Sequence, residues 1–330
     1  MNVTDLKIAL IGVSHWHVPL YLPGLPQGTV VGISDDDAAL AASMAAPFGA
    51  KVYTDYRQLL KECQPDFVFA FAPHYRMREL ALDLIAAGVG FTIEKPAGLN
   101  AHEVAEIYDR AEQKKAFCAI PFVWRYSDTV TDLKEKYLKD PIVHMSYKFV
   151  AGPPSRYLAT SRWMLERKLA GGGCMTNLGV HFIDMALNLT DCTTAEVLGS
   201  IYQYASPYDI ETYATSLLRL SNGTSLVLET GYAYPMSENL KRENRWTIVT
   251  TQGYNILAEN NLELRHYDEP TRNISLNTDS DPYYEIFARV TLNDFVSGIR
   301  PRASLKEMLA TSIILDQMNA LADAQNKTKW

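Results

Sequence analysis

Short, nearly continuous apolar runs alternate with stretches of helical spacing over about the first 120 residues. The run 7–12 ends in Gly12, the run 29–35 ends in Asp35, and 67–71 is closed by Pro73. The run 90–94 is stopped by Pro96, and 117–120 ends the series, with a shorter run at 51–53. Apolar runs without polar alternation are how parallel strands buried on both faces read. Between them the spacing predicts helices over 16–25, 38–48, 56–63, 76–87 and 101–114, with Gly88 as a C-cap. Beyond residue 122 the pattern changes. The segments 142–150, 196–204, 212–220, 225–234 and 246–251 read as strands, and Asn222-Gly223 between two of them is a strong hairpin signal. A long amphipathic helix is predicted over 305–324, and no internal repeat interrupts the scheme.

Strands alternating with helices imply right-handed βαβ units. The expected fold is therefore α/β. Residues 1–122 form a Rossmann-type doubly wound parallel sheet. Residues 123–330 form a C-terminal α+β domain on a mainly antiparallel open sheet with helices on one face. A length of 330 residues suits two such cores rather than one. A net charge of −7 with no basic run argues against nucleic acid as a partner. No apolar run is long enough to span a bilayer, so no membrane partner is expected. The apolar run 8–13 is short and is followed at once by His15 and His17, which reads as a buried strand rather than a signal peptide. Four scattered cysteines without a CxxC pair read as reduced thiols and fit a cytoplasmic protein.

A strand ending in glycine before a helix offers backbone N–H groups and a positive helix end to a pyrophosphate. Here that turn is Gly12-Val13-Ser14-His15-Trp16-His17, so Gly12, Ser14, His15, Trp16 and His17 are candidate cofactor contacts. Only the first glycine of G-x-G-x-x-G is present; Ser14 and His17 stand in the second and third positions. His17 must then push the helix from the sheet or lie along the cofactor. A doubly wound domain without a nucleotide is the competing reading of this motif. Asp35 closes the second strand, where a carboxylate accepts hydrogen bonds from ribose hydroxyls and repels a 2′-phosphate. NAD is therefore expected, with NADP disfavoured. Pro73 and His74 follow a strand at the sheet's C-terminal end, where ligands bind in such folds. His15 and His17 have metal-ligand spacing, but no Asp, Glu or Cys accompanies them at a known spacing, so no metal is expected and both are assigned to the cofactor pocket.

More specific signals follow. Glu94-Lys95-Pro96 sits after a strand. Trp163 precedes Leu169-Ala170-Gly171-Gly172-Gly173, which runs on through Asn177, Gly179 and His181 to Asp184. With 49–56 and Arg125-Tyr126, these segments resemble the glucose–fructose oxidoreductase / inositol dehydrogenase (Gfo/Idh/MocA) family over nearly the whole chain. The resemblance implies Lys95 and His181 as the catalytic pair and Glu94 and Lys95 beside the cofactor. It implies Asn177, Arg125, Tyr126 and Trp163 on the substrate side. The family's aspartate is replaced here by Asn177, which can hold a hydroxyl but cannot take a proton.

The residue chemistry reads in the same direction. Oxidising a secondary alcohol needs a base for the hydroxyl proton and a cation for the developing alkoxide, tasks that suit His181 and Lys95. Asn177, His181 and Asp184 at i, i+4 and i+7 are expected on one helix face, with the glycines ahead letting the backbone approach a ligand. The plainer readings are a surface Lys95, a core His181 and a structural Asp184. Trp124, Tyr126, Tyr157 and Trp163 offer rings for stacking on a sugar, or for the core. The expected function is a nicotinamide-dependent oxidoreductase moving a hydride between NAD and a carbinol carbon of a sugar, cyclic polyol or derivative. The alternatives are an NAD-retaining sugar lyase or hydrolase, and a non-catalytic dinucleotide- or sugar-binding protein. A homo-dimer or homo-tetramer built through the open sheet face is expected.

Overall fold

The computed structural model describes residues 2–235, 242–277 and 279–326. Contacts divide the chain into two compact units, Met1–Val123 with Asp281–Leu309, and Trp124–Ser280 with Ala310–Trp330.

The first unit carries strands β1 (Ile8–Ile11), β2 (Val30–Ser34), β3 (Lys51–Tyr53), β4 (Phe67–Ala70), β5 (Gly90–Ile93) and β6 (Cys118–Ala119). Their order is β3-β2-β1-β4-β5-β6, and every pair is parallel. The order reverses between β1 and β4, which opens a crevice at the C-terminal ends of these strands. β1 and β4 are buried along their whole length, as their unbroken apolar runs require. The helices are α1 (Val18–Tyr21), α2 (Ala38–Ala45), α3 (Tyr56–Cys63), α4 (His74–Ala87) and α5 (Ala101–Lys114). Asp37, Asp55 and Asn100 cap the N-termini of α2, α3 and α5, and Gly88 closes α4 at φ 70°. The helix expected over 16–25 is cut short. α1 has four residues and passes into a 3₁₀ turn, Leu22–Gly24. Pro19 and Pro23 each lack an amide donor, so no longer ladder can form. Trp16 and His17 therefore stand in the turn before the helix.

The second unit contains α6 (Asp128–Tyr137), β7 (Ile142–Ala151), α7 (Arg167–Ala170), a π-helical turn (Met175–Gly179) and α8 (Val180–Thr190). Strands β8 (Ala195–Tyr204), β9 (Glu211–Leu220), β10 (Ser225–Gly231), β11 (Arg242–Thr250), β12 (Gly253–Ala258), β13 (Asn261–His266) and β14 (Glu269–Ser275) follow. The eight strands are ordered β14-β13-β12-β11-β7-β10-β9-β8, antiparallel throughout except for β7 with β10. One face is packed: Tyr147 stacks on Phe182 of α8 and meets Trp246 edge-on. Along β9 burial alternates strictly from Ala214, with Thr215, Leu217 and Arg219 exposed on the other face. β12 to β14 did not stand out as strands, because their runs are short and β13 and β14 are mostly polar.

The chain returns to the first unit through α9 (Pro282–Ser297), which the reading of 123–330 as one domain did not anticipate. The physical reason is aromatic packing. Phe295 lies against Phe67 and Phe117 and occupies the space where Gly90 lacks a side chain, while Tyr284 and Phe287 pack on Tyr21. α10 (Leu305–Asn326) begins in the first unit, and its residues from Ala310 count with the second.

Candidate active site

In the first unit, the crevice after β1, β2 and β4 is lined by Gly12, Ser14, Asp35, Asp36, Pro73 and Arg76, among others. Gly12 has φ +80°, and a Cβ there would lie 3.0 and 3.1 Å from the backbone of Phe71 and Ala72. Glycine is needed on both counts. Asp35 is buried and accepts the Ser14 N–H at 2.7 Å and the Asp37 N–H at 3.0 Å. It therefore ties the turn after β1 to the end of β2, and each oxygen keeps a lone pair for a ribose hydroxyl. Beside it the exposed Asp36 pairs with Arg76. These groups fit the adenosine end of a dinucleotide.

The two histidines of the turn point inward. His15 is buried, stacks on Trp16 at 4.0 Å between ring centroids, and accepts the His17 backbone N–H through Nδ1 at 3.2 Å. Burial holds its imidazole well below the usual histidine range; the charges of His17, Lys95 and His74 act in the same direction and Glu94 opposes them. His17, in the third-glycine position, places Nδ1 3.1 Å from Glu94 Oε1. Tyr21 donates to the same oxygen at 2.6 Å, and the Lys95 N–H donates to Glu94 Oε2 at 3.3 Å. The far side of the His17 ring lies 3.4 Å from the Tyr284 hydroxyl. Burial alone would raise the Glu94 carboxyl, but His17 above all, then His15 and Lys95, hold it below the usual carboxylate range. Glu94 is thus the carboxylate partner for which the sequence shows no spacing. Lys95 is buried next to it, and His74 is buried at the start of α4.

In the second unit, the glycine run packs on the protein itself. A Cβ on Gly173 would sit 3.0 Å from Glu211 C and N and closer still to its carbonyl oxygen; one on Gly172 would overlap the Thr176 side chain. The expectation that these glycines admit a ligand is corrected for these two: Gly173 admits the start of β9 and Gly172 the Thr176 side chain. The Glu211 carboxylate accepts the N–H groups of Gly173 at 2.7 Å and Met175 at 3.0 Å. Burial raises its carboxyl above the usual range although those N–H groups oppose the shift. Asn177 is buried and donates to the Tyr157 and Tyr232 hydroxyls, at 3.0 Å each. It lies in the π-helical turn, whereas His181 and Asp184 lie in α8. The single α-helical face expected for the three is therefore interrupted at Gly179. His181 is half-buried. Asp184 is buried and bound bidentately by Arg125 at 2.9 and 2.7 Å, so Arg125 already spends its planar fork on a carboxylate of its own chain. Trp124 and Tyr126 are buried, with Trp124 edge-on to Trp246, while Trp163 is half-exposed on a 3₁₀ turn. Tyr232, Tyr284 and Glu211 escaped the sequence reading because their partners lie 36 to 267 positions away.

Fold and site together define a two-unit oxidoreductase whose first unit is a dinucleotide-binding sheet. A model of an oxidoreductase family with an NAD-binding Rossmann fold matches residues 6–122, and a GFO/IDH/MocA C-terminal domain matches 141–255. The chain belongs to the Gfo/Idh/MocA family. Levoglucosan dehydrogenase of Pseudarthrobacter phenanthrenivorans is 26% identical over 202 residues, which is 55% of this chain and 50% of that protein. The rhizopine catabolism protein MocA of Rhizobium meliloti is 24% identical over 62% of this chain and 64% of its own length. The chain thus spans about half to two thirds of the length of these relatives. Among solved structures, levoglucosan dehydrogenase in complex with NADH and levoglucosan superposes with a TM-score of 0.84 at 17% identity, covering 97% of both chains. An oxidoreductase from Agrobacterium radiobacter in complex with NAD+, L-tartaric acid and magnesium gives 0.84 at 18% identity, again over 97% of both. Among the described residues no helix is long and apolar enough to cross a membrane.

Proposed function

We propose that the protein is an NAD-dependent dehydrogenase of a sugar, cyclic polyol or related polyhydroxy compound. The observation that carries this reading is the end of β5, where Lys95 is buried beside a Glu94 carboxylate anchored by Tyr21 and His17. A lysine held at that strand end is a fixed cation for a developing alkoxide. His181 takes the hydroxyl proton, and Asn177 orients the Tyr157 and Tyr232 hydroxyls toward the same work. Gly12, Ser14, Trp16, Asp35, Pro73 and His74 hold the dinucleotide, with Asp35 selecting NAD over NADP. Bound NAD supplies the hydride acceptor. Glu94 keeps Lys95 in place, and Tyr126 and Trp163 complete the substrate side.

The test is a panel of sugars and polyols with NAD and with NADP, read by absorbance of the reduced cofactor. Turnover of at least one polyhydroxy substrate with NAD, and weaker turnover with NADP, is expected. Conversion without net reduced cofactor would point instead to an NAD-retaining lyase, and silence across the panel would count against both. The same reading includes a homo-dimer or homo-tetramer joined through the open face of the eight-stranded sheet, where Leu217 and Ile201 are exposed. Light scattering that returned a monomer at micromolar concentration would remove it.

A further inference from the structure

Two imidazoles and one carboxylate converge in the first unit, where the dehydrogenase reading uses only the carboxylate and His17, and those only to hold Lys95. His15, His17 and Glu94 each place one ligand atom so that all three lie within 4.8 Å of one another. We propose that His15, His17 and Glu94 form a binding site for a divalent first-row transition metal, zinc by its donor set.

The chemistry of the donors comes first. Two imidazole nitrogens and one carboxylate oxygen are the ligand set of open zinc sites, which leave one position for water or for an oxygen of a bound molecule. Such a set also accepts cobalt(II) and nickel(II), whereas magnesium and calcium prefer all-oxygen surroundings. The turn supplies the pairing. His15 and His17 are two residues apart in the turn before α1, with ring centroids 5.0 Å apart, and β5 delivers Glu94 from 77 positions further along the chain.

The surroundings are those of a built site. Tyr21 holds Glu94 Oε1 at 2.6 Å and the Lys95 N–H holds Oε2 at 3.3 Å, so the carboxylate is oriented from both sides. The Tyr284 hydroxyl stands 3.4 Å from His17 Nε2, which leaves Nδ1 as the nitrogen facing Glu94. Partners of this kind fix the orientation of metal-ligating rings and carboxylates. Aromatic rings close the apolar side, with Phe71 stacked 6.1 Å from His15 and Tyr284 4.5 Å from His17. His15 and Glu94 are buried and His17 nearly so, with 13% of its side chain exposed. Metal–ligand bonds of about 2.0–2.2 Å require the donors to draw closer than they stand. The adjustment is local: His15 turns its lone pair from the His17 N–H to the ion, and the contact between His17 and Glu94 is replaced by two bonds to one cation.

The experiment uses the untagged full chain, stripped with a chelator and titrated with zinc chloride by calorimetry, and with cobalt chloride by visible absorption. One equivalent of zinc and the intense visible bands of a low-coordinate cobalt(II) centre are expected. His17→Ala and Glu94→Gln should each weaken zinc binding by at least about a hundredfold, above the range seen when a mere supporting partner is lost. Glu94→Gln keeps the shape and one acceptor, and circular dichroism of each variant checks that it is folded. His144→Ala, on the second unit's sheet, should bind as the parent does. Failure to bind either metal, or binding that survives both substitutions in folded protein, would overturn the proposal. None of these readouts depends on turnover, so the dehydrogenase assignment stands or falls separately.

Discussion

Glu94 and Glu211 are the two carboxylates that organise the two units, and they solve burial in opposite ways. Both are almost completely enclosed, at 1% and 2% exposure, and both anchor the turn next to a candidate catalytic residue. Glu94 stands among His17, His15 and Lys95, and these basic neighbours hold its carboxyl below the usual range. Glu211 faces backbone N–H groups from Gly173, Met175 and Thr176, and burial still drives its carboxyl upward. Basic side chains offset the loss of water more fully than peptide dipoles alone. The glycines differ in the same way. Gly12 turns at φ +80° beside an open crevice, whereas Gly173 has no room because its own chain passes through the space. A glycine run therefore marks close approach without saying what approaches.

The largest effect should come from the residues these anchors serve. Lys95→Ala and His181→Ala are each expected to lower turnover by about a hundredfold or more while leaving the fold intact. Steady-state kinetics on both variants decides it, and near-normal turnover in either one removes that residue from the mechanism.

Next in size is a contrast between the two glycines. Gly173→Ala forces a methyl group into the Glu211 backbone, and overpacking of this kind costs about 1–3 kcal/mol. Thermal unfolding should show the loss, together with normal NAD affinity in whatever protein remains folded. Gly12→Ala combines a positive φ with contacts at 3.0 Å and should weaken NAD binding as well as stability. If Gly173→Ala instead spares stability and abolishes ligand binding, the second turn belongs to a ligand after all.

The smallest and sharpest test compares the carboxylates through pH. Glu94 is depressed in the folded state, so its contribution is present above the ordinary value of 4.5 and fades as pH falls below it. Glu211 is raised, so its contribution is present below 4.5 and is lost as pH rises through its folded value. Glu94→Gln should thus cost about 1.5–3 kcal/mol at neutral pH, the range for hydrogen bonds to charged groups, with the gap closing in acid. For Glu211→Gln the stability relative to the parent should improve as pH rises. Denaturant midpoints measured from about pH 2 to about pH 8 should give slopes of opposite sign, the Glu94 slope below pH 4.5 and the Glu211 slope above it. Equal slopes would end the comparison.

Much of the first unit was legible because its cues are local. Apolar runs with glycine and proline punctuation located every strand of the parallel sheet, and α3 and α5 fall on the predicted residues. The family motifs around Glu94-Lys95-Pro96 and 169–184 stood out by their own spacing. The strands β12 to β14 were missed because their runs are short and β13 and β14 mostly polar, and α9 because nothing in its composition says which unit it joins. The π-helical turn was also hidden: its sequence has helical spacing, and only the Glu211 contacts at its start set it apart.

The sequence by itself determined the alternation that makes a doubly wound sheet, the antiparallel character of the second sheet, and the residue types available for hydride chemistry. Periodicity and turn preference act over a few residues, so they survive without three-dimensional context. The tertiary structure alone decided partnership. It brought Glu94 to His15 and His17, gave Asp184 to Arg125 and Asn177 to two tyrosines, and filled the space of Gly173 with β9. Charge pairing and steric fit act over a few ångströms between positions far apart in the chain, a separation that sequence spacing does not encode.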